Sequence, residues 1–341
     1  MRLREWDPGL APEAELRLWL DAYNEALTAD LPHDPLWGMT SLRGYLSVTM
    51  PGQRRFSWIV EEDDTGGGTA PLLGVGTLLL LEGMGVIEIV VVPKARRQGV
   101  GRTLLAAAAR RALREGIRQL GVEVIGGTTA VDFYEQHGFR WAYVEMRSLL
   151  DLRTVDWDHL RDMADGVVTG YYVEYHQGGL PESILNAYAE AKEQRRLTPP
   201  GDLELRPSSY SADRLRSSIA TLRARGLHPH IVLAVHESTG WVAGLTEVVV
   251  PAQHPTRADQ YDTIVRPEFN GLGLGRALKA RMLLELRDAE PQLREVQTWH
   301  ATENEQLQQV NDELGFRADH EWREYDADAD ELTKLLSDVP T

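Results

Sequence analysis

Apolar residues in the first half of the chain follow two different periods. Leu16, Trp19, Leu20, Tyr23 and Leu27 recur at helical spacing, which predicts an amphipathic helix over residues 14–28. A shorter run of the same kind covers 40–48. Residues 56–61, 72–81 and 86–92 are short runs rich in branched side chains and predict strands. The helical period then returns over 99–115, a strand pattern over 121–125, and a helix over 128–137 that Gly138 stops. A last strand or strand pair is expected over 139–150.

The second half runs through the same order. Strands are expected over 171–176, 230–235, 241–250, 261–265 and 295–299, and helices over 182–194, 212–225, 273–287 and 303–314. The echo extends to motifs. Val90, Val91, Val92 and Pro93 precede Gly99 and Gly101; Thr263, Ile264, Val265, Arg266 and Pro267 precede Gly271, Gly273 and Gly275. Pro93 and Pro267 lie 174 residues apart, as do Gly99 and Gly273, while Gly138-Phe139 and Gly315-Phe316 lie 177 apart. A near-constant offset over separate motifs marks a duplicated domain. The expected division is 1–155 and 156–341, with a Pro-rich loop at 198–201 inside the second domain.

Bulk properties narrow the function classes. The 341 residues carry a formal net charge of −16, which argues against nucleic-acid or anionic-membrane partners, since both need a positive footprint. There is no cysteine, hence no disulfide, thiolate nucleophile or Cys-ligated metal. No His, Asp or Glu grouping suggests a metal site; His228 and His230 stand without further ligands. The apolar stretch 71–93 is broken by Glu82, Glu88 and four glycines, and fits two buried strands better than a membrane span. Residues 1–14 carry charge where a signal peptide would be apolar. A soluble, cytoplasmic protein is expected.

The strand–Gly-x-Gly–helix junction suggests anion binding. First-turn N–H groups of a helix lack intrahelical partners, and the helix dipole adds positive potential there. Phosphate satisfies both, and glycines let it approach the backbone. Arg96, Arg97 and Arg102 around this turn give the local positive patch that the net charge denies. No Lys stands where a Walker loop needs one, and the Gly-x-Gly-x-x-Gly fingerprint is absent from the first copy. On spacing alone, a tight structural turn fits equally well.

Two motifs together carry a resemblance. Arg96-x-x-Gly99-x-Gly101 after Val90 to Pro93, and Ala130-x-x-x-Tyr134-x-x-x-Gly138-Phe139, resemble the acetyl-CoA pyrophosphate motif and the later helix of the GNAT superfamily of N-acetyltransferases. The duplicated layout is similar to mycothiol synthase and to tandem acetyltransferases of actinomycete biosynthetic clusters, hence to secondary metabolism. The resemblance implies an α/β (α+β) fold: two GNAT-like domains, each a mixed, mostly antiparallel sheet flanked by helices. It implies that the strand holding Val90 to Val92 splays from the strand at 121–125, with pantetheine in the gap. The diphosphate of acetyl-CoA, or another acyl-CoA, would lie on Arg96, Arg97, Gln98, Gly99, Val100, Gly101, Arg102 and Thr103. The segment 31–46 would be the acceptor loop, and a backbone N–H near Val90 or Val91 would meet the oxyanion.

The implied reaction is direct acyl transfer to a primary amine of a small molecule, with no metal. Tyr134 is the candidate acid: a phenol with a pKa near 10 could protonate the departing thiolate at little cost. Glu88, on the same strand face as Val90 and Val92, is the candidate base, with Glu123 as a rival. The second copy has Asn270, Asn311 and Asp262 at the positions of Arg96, Tyr134 and Glu88, so the first copy is the expected catalytic and CoA-binding one. Trp6, Trp37 and Trp58 could line an acceptor pocket or simply pack. Two other readings stay open, a non-catalytic acyl-CoA-binding or sensing protein and an aminoacyl-tRNA-dependent transferase using the basic run Arg110, Arg111, Arg114 and Arg118. Monomer and homodimer are both compatible with a fused pair.

Overall fold

A computed structural model describes residues 1–63, 70–194 and 210–339. The Pro-rich break at 198–201 lies outside the described residues. Two compact units emerge, one from residues 1–143 and 322–339 and the other from 144–194 and 210–321.

The first unit runs β1 (Arg2–Trp6), α1 (Glu13–Asp30), α2 (Met39–Ser47), β2 (Arg54–Glu61), β3 (Leu72–Leu80), β4 (Met84–Val91), a 3-10 turn (Pro93–Ala95), α3 (Val100–Arg114), β5 (Gln119–Ile125) and α4 (Thr129–Gln136). The following strand, β6 (Arg140–Asp151), leads into the second unit. There the order is α5 (Trp157–Asp165), β7 (Tyr171–Gln177), α6 (Glu182–Glu193), α7 (Ala212–Ala224), β8 (Leu227–His236), β9 (Val242–Pro251), β10 (Arg257–Val265), a 3-10 turn (Pro267–Phe269), α8 (Leu274–Ala289), β11 (Glu295–Ala301) and α9 (Glu305–Leu314). The chain then returns to the first unit through β12 (Arg317–Asp328) and α10 (Ala329–Leu335).

Each sheet is mixed and mostly antiparallel, as expected. In the first unit the strand order is β1-β2-β3-β4-β5-β12, and in the second β6-β11-β10-β9-β8-β7. The one parallel pairing in each lies between β4 and β5, and between β10 and β11. The apolar stretch 71–93 forms β3 and β4 rather than a span, and no helix among the described residues is long and apolar enough to cross a membrane.

A division at 155/156 describes the sequence repeat, but the compact units divide differently. Glu145 to Asp151 of β6 pair antiparallel with β11, so the last strand of the first half completes the second unit. Trp322 to Asp328 of β12 pair antiparallel with β5 along its whole length, so the last strand of the second half completes the first. Each sheet thereby covers an edge that a contiguous division would leave exposed.

The core of the first unit gathers Trp19, Leu42, Ile59, Leu78, Ile87, Leu104 and Leu105, all at most 2% exposed. That of the second is built on Leu278, Leu283, Val296 and Phe316. Trp6 and Trp58 are buried in the first core, with the Trp6 indole donating to Glu15, and so do not line a pocket. Trp37 packs against Tyr23 and Tyr45.

Candidate active site

The site begins where two strands part. β4 and β5 pair in parallel only at Met84 with Gln119, Gly85 with Leu120, and Val86 with Gly121. Beyond these pairs β4 stays on β3 as far as Val91, and β5 stays on β12 as far as Ile125. The two strands therefore follow different neighbours and open a gap. Val92 N–H donates to Leu73 O, so strand alternation turns the N–H and C=O of Ile89 and Val91 into that gap. Of the backbone N–H groups near Val90 and Val91, those of Ile89 and Val91 face the gap.

At the mouth of the gap the chain makes its turn into α3. Gly99 caps the helix at φ +85°, a left-handed conformation that glycine adopts without a Cβ penalty. Arg97 also has positive φ, +64°. A Cβ on Gly101 would stand 3.2 Å from the Phe133 ring, which would have to give way, so glycine suits this close approach at the start of the helix. A cavity of about 500 Å³ runs along the gap.

Of the expected ligand-binding residues, Val90, Val91, Arg96, Arg97, Gly99, Gly101 and Arg102 line this cavity, as do Glu88 and Tyr134. The side chains of Val92 and Val100 point into the core, each 1% exposed. Gln98 folds back onto Lys94 O, and Thr103 onto Gly99 O. Val92 and Val100 can offer only backbone groups.

The positive patch is smaller than a count of arginines suggests. Arg96 forms two bonds to the Asp30 carboxylate, at 2.9 and 2.7 Å, and its Nε donates to Val91 O at 3.3 Å. Arg102 is paired with Asp338 at 2.6 Å. Both acids come from distant parts of the chain and were invisible to motif reading.

The chemistry-bearing side chains converge on the same cavity. Glu88 is half-buried, and the Tyr45 hydroxyl donates to its Oε2 at 2.5 Å. Glu123 lines the cavity from β5. Tyr134 is 4% exposed, its ring 5.0 Å from those of both Phe133 and Phe139. Burial first, and the Glu88 charge second, push its phenol well above 10. Tyr134 therefore keeps its proton through neutral pH, and releasing that proton costs more than an unperturbed phenol would require.

The second unit repeats the frame with different chemistry. β10 and β11 pair only from Arg257–Glu295 to Gln260–Thr298, and Gly273 caps α8 at φ +71°. Asp262, at the position of Glu88, forms an ion pair with Lys192 at 2.6 Å, and Lys192 also meets Glu247 at 2.5 Å. Asn311, at the position of Tyr134, accepts from Lys279 Nζ at 2.8 Å. The chain has four lysines, and two of them hold these two positions.

Among the described residues, no group of three or more His, Cys, Asp or Glu is arranged to hold a metal ion.

Comparison with known proteins agrees with this geometry. Residues 53–141 match the family model of the acetyltransferase (GNAT) domain. No curated protein sequence matches significantly. Among solved structures, a tandem GNAT protein from the clavulanic acid biosynthesis pathway, without AcCoA, shares 24% identity with a TM-score of 0.79, covering 96% of this chain and 98% of its own. A GCN5-related N-acetyltransferase from Sphaerobacter thermophilus shares 17% identity with a TM-score of 0.66, over 96% and 95% of the two chains. Residues 53–141 thus match the GNAT acetyltransferase domain, and the chain has the tandem GNAT fold.

Proposed function

We propose that the first unit transfers an acyl group, acetyl from acetyl-CoA in the first instance, directly to a primary amine of a small molecule. The observation that carries this reading is the convergence of Glu88 and Tyr134 on one cavity, with the Gly99 turn at its mouth. The thioester supplies the activated acyl group. The helix N-terminus and the glycine approach suit a diphosphate, and the open edge of β4 at Ile89 and Val91 suits an amide-containing arm. Glu88 receives the proton of the incoming ammonium. Val91 or Ile89 N–H faces the acyl oxygen, and Tyr134 donates toward the leaving sulfur.

For the second unit, the lysines on Asp262 and Asn311 favour a non-turnover role, because both reaction positions are already engaged from within the chain.

The test is calorimetric titration of acetyl-CoA into the wild type, Gly99→Trp and Gly273→Trp, followed by CoA release with a panel of simple amines. Loss of binding in Gly99→Trp alone, with amine-dependent CoA release, is the expected outcome. Loss in Gly273→Trp alone would move catalysis to the second unit and overturn the proposal.

A further inference from the structure

Tyr45 belongs to α2, 43 positions from Glu88, yet its hydroxyl makes the 2.5 Å bond to the Glu88 carboxylate. The ring that carries this hydroxyl is held on several sides. The Arg55 guanidinium lies over it at 3.9 Å, and Arg55 also donates to the Tyr45 carbonyl. The Trp37 ring meets its edge at 5.3 Å and 86°. Trp37 is fixed in turn by Asn24, which accepts from its N–H at 2.9 Å and donates to its C=O at 3.0 Å. Thr77 sits directly opposite Glu88 in the β3–β4 ladder, and its hydroxyl bonds to the same phenol. So much support around one donor is more than packing of an aromatic requires.

The second unit shows the contrasting solution. There the carboxylate at the base position, Asp262, meets the ammonium of Lys192. A carboxylate paired with a lysine has little net charge left for an approaching ammonium, and its proton affinity is already lowered. A phenol orients the carboxylate without cancelling its charge. We infer that Tyr45 is the positioning residue of the acyltransferase site, fixing the Glu88 carboxylate with a neutral donor so that its charge stays available to the acceptor amine. This rests on the reading of Glu88 as base.

The groups around Glu88 are consistent with this arrangement. Tyr23 from α1, Tyr45 from α2 and Tyr134 from α4 all sense its charge, and burial, the leading cause, together with that charge holds each phenol protonated. Glu123 from β5 lines the same cavity, and Arg55 from β2 lies over the Tyr45 ring.

The experiment uses full-length protein labelled with 13C at glutamate carboxyls, with the Glu88 resonance assigned by its loss in Glu88→Gln. Tyr45→Phe removes one oxygen and keeps the ring that Trp37 and Arg55 contact. A hydrogen bond to the ionised form favours that form, so its loss should move the Glu88 titration up by about one pH unit. Identical titration of Glu88 in wild type and Tyr45→Phe overturns the inference. CoA release by Glu88→Gln, with acetyl-CoA and simple alkyl and aryl amines, separates the two claims. Undiminished turnover there sinks the base assignment alone. Abolished turnover together with an unmoved titration sinks the positioning role alone.

Discussion

Lys279 donates to Asn311 Oδ1 at 2.8 Å inside the second unit, where both residues are 1% exposed. The residues at the same positions of the first unit, 174 and 177 earlier, are Leu105 and Tyr134. The Lys279 ammonium lies 5.1 Å from the Phe316 ring centre, much as Tyr134 lies 5.0 Å from Phe139. The lysine thus sits beside Phe316 at about the distance at which Tyr134 sits beside Phe139. Two departures from the first copy compensate one another, and the cost is a buried amine.

That cost sets a pH dependence. Burial lowers Lys279 to about 7. Between there and the unfolded value near 10.4, the unfolded chain binds a proton that the folded chain does not. Stability should therefore rise with pH across that window, on the order of 2–4 kcal/mol in all. The double variant Lys279→Leu with Asn311→Tyr restores the first unit's pair. It should flatten this dependence and be more stable at pH 7 than either single variant. Urea unfolding at pH 7 and pH 9.5 measures both; additive single-variant effects would mean the two positions are not coupled.

Asp30 is the second unexpected element, since it holds Arg96 beside the cavity through two hydrogen bonds. Both side chains are more than a quarter exposed, so the pair is worth little to stability. Its effect falls on anion binding instead. Asp30→Asn should tighten acetyl-CoA binding about three- to tenfold at low salt by freeing one positive charge, with most of the gain gone near 0.5 M salt. Weaker binding in calorimetry would show instead that Asp30 holds Arg96 in a geometry the ligand needs.

Most elements of the first unit are visible in apolar spacing. Helix α1 (Glu13–Asp30) and strand β3 (Leu72–Leu80) fall within two residues of their expected limits. Their buried faces are set by side-chain hydrophobicity, which is what periodicity reports. β1 and β12 gave no such signal. Arg2 and Arg4 of β1 are held by Glu61, and β12 has only Tyr325 and Ala327 as buried apolar residues. Both strands are secured by ladder hydrogen bonds and ion pairs to which an apolar period is blind. The exchange of β6 and β12 was hidden for the same reason. At the candidate site, the glycine turn and Tyr134 were legible from motifs and Glu88 from strand alternation, because all three are local in sequence. Tyr45, Asp30 and Asp338 were not, because each meets its partner across a long stretch of chain.

Tyr134 gives the sharpest test of mechanism. Its phenol is pushed up mainly by burial, so it stays a donor across the range in which amine acyltransferases work. Tyr134→Phe keeps the ring between Phe133 and Phe139 and removes only that donor. The rate of CoA release should fall by about 10²-fold at saturation, as for loss of one preorganised donor to developing charge. The KM for acetyl-CoA should stay nearly constant, because the donor acts when charge appears on sulfur and not in the ground state. A raised KM with unchanged kcat would reassign Tyr134 to binding.

Lys192 makes the opposite kind of contribution. It is 6% exposed and sits between Glu247 of β9 and Asp262, the residue at the position of Glu88. Lys192→Met would keep most of the side-chain volume and leave two carboxylates facing each other with their shared ammonium gone. Removing one member of a buried ionic group costs up to about 3–5 kcal/mol, because the remaining charges are stranded, and less below about pH 8, where burial favours the protonated form of Glu247. Adding Glu247→Gln and Asp262→Asn should recover a substantial part of that loss by removing the stranded charges together. Urea unfolding of the single and triple variants measures this. If Lys192→Met is neutral, the second unit does not need its lysine for stability, and the amine at its base position must be explained by binding or chemistry instead.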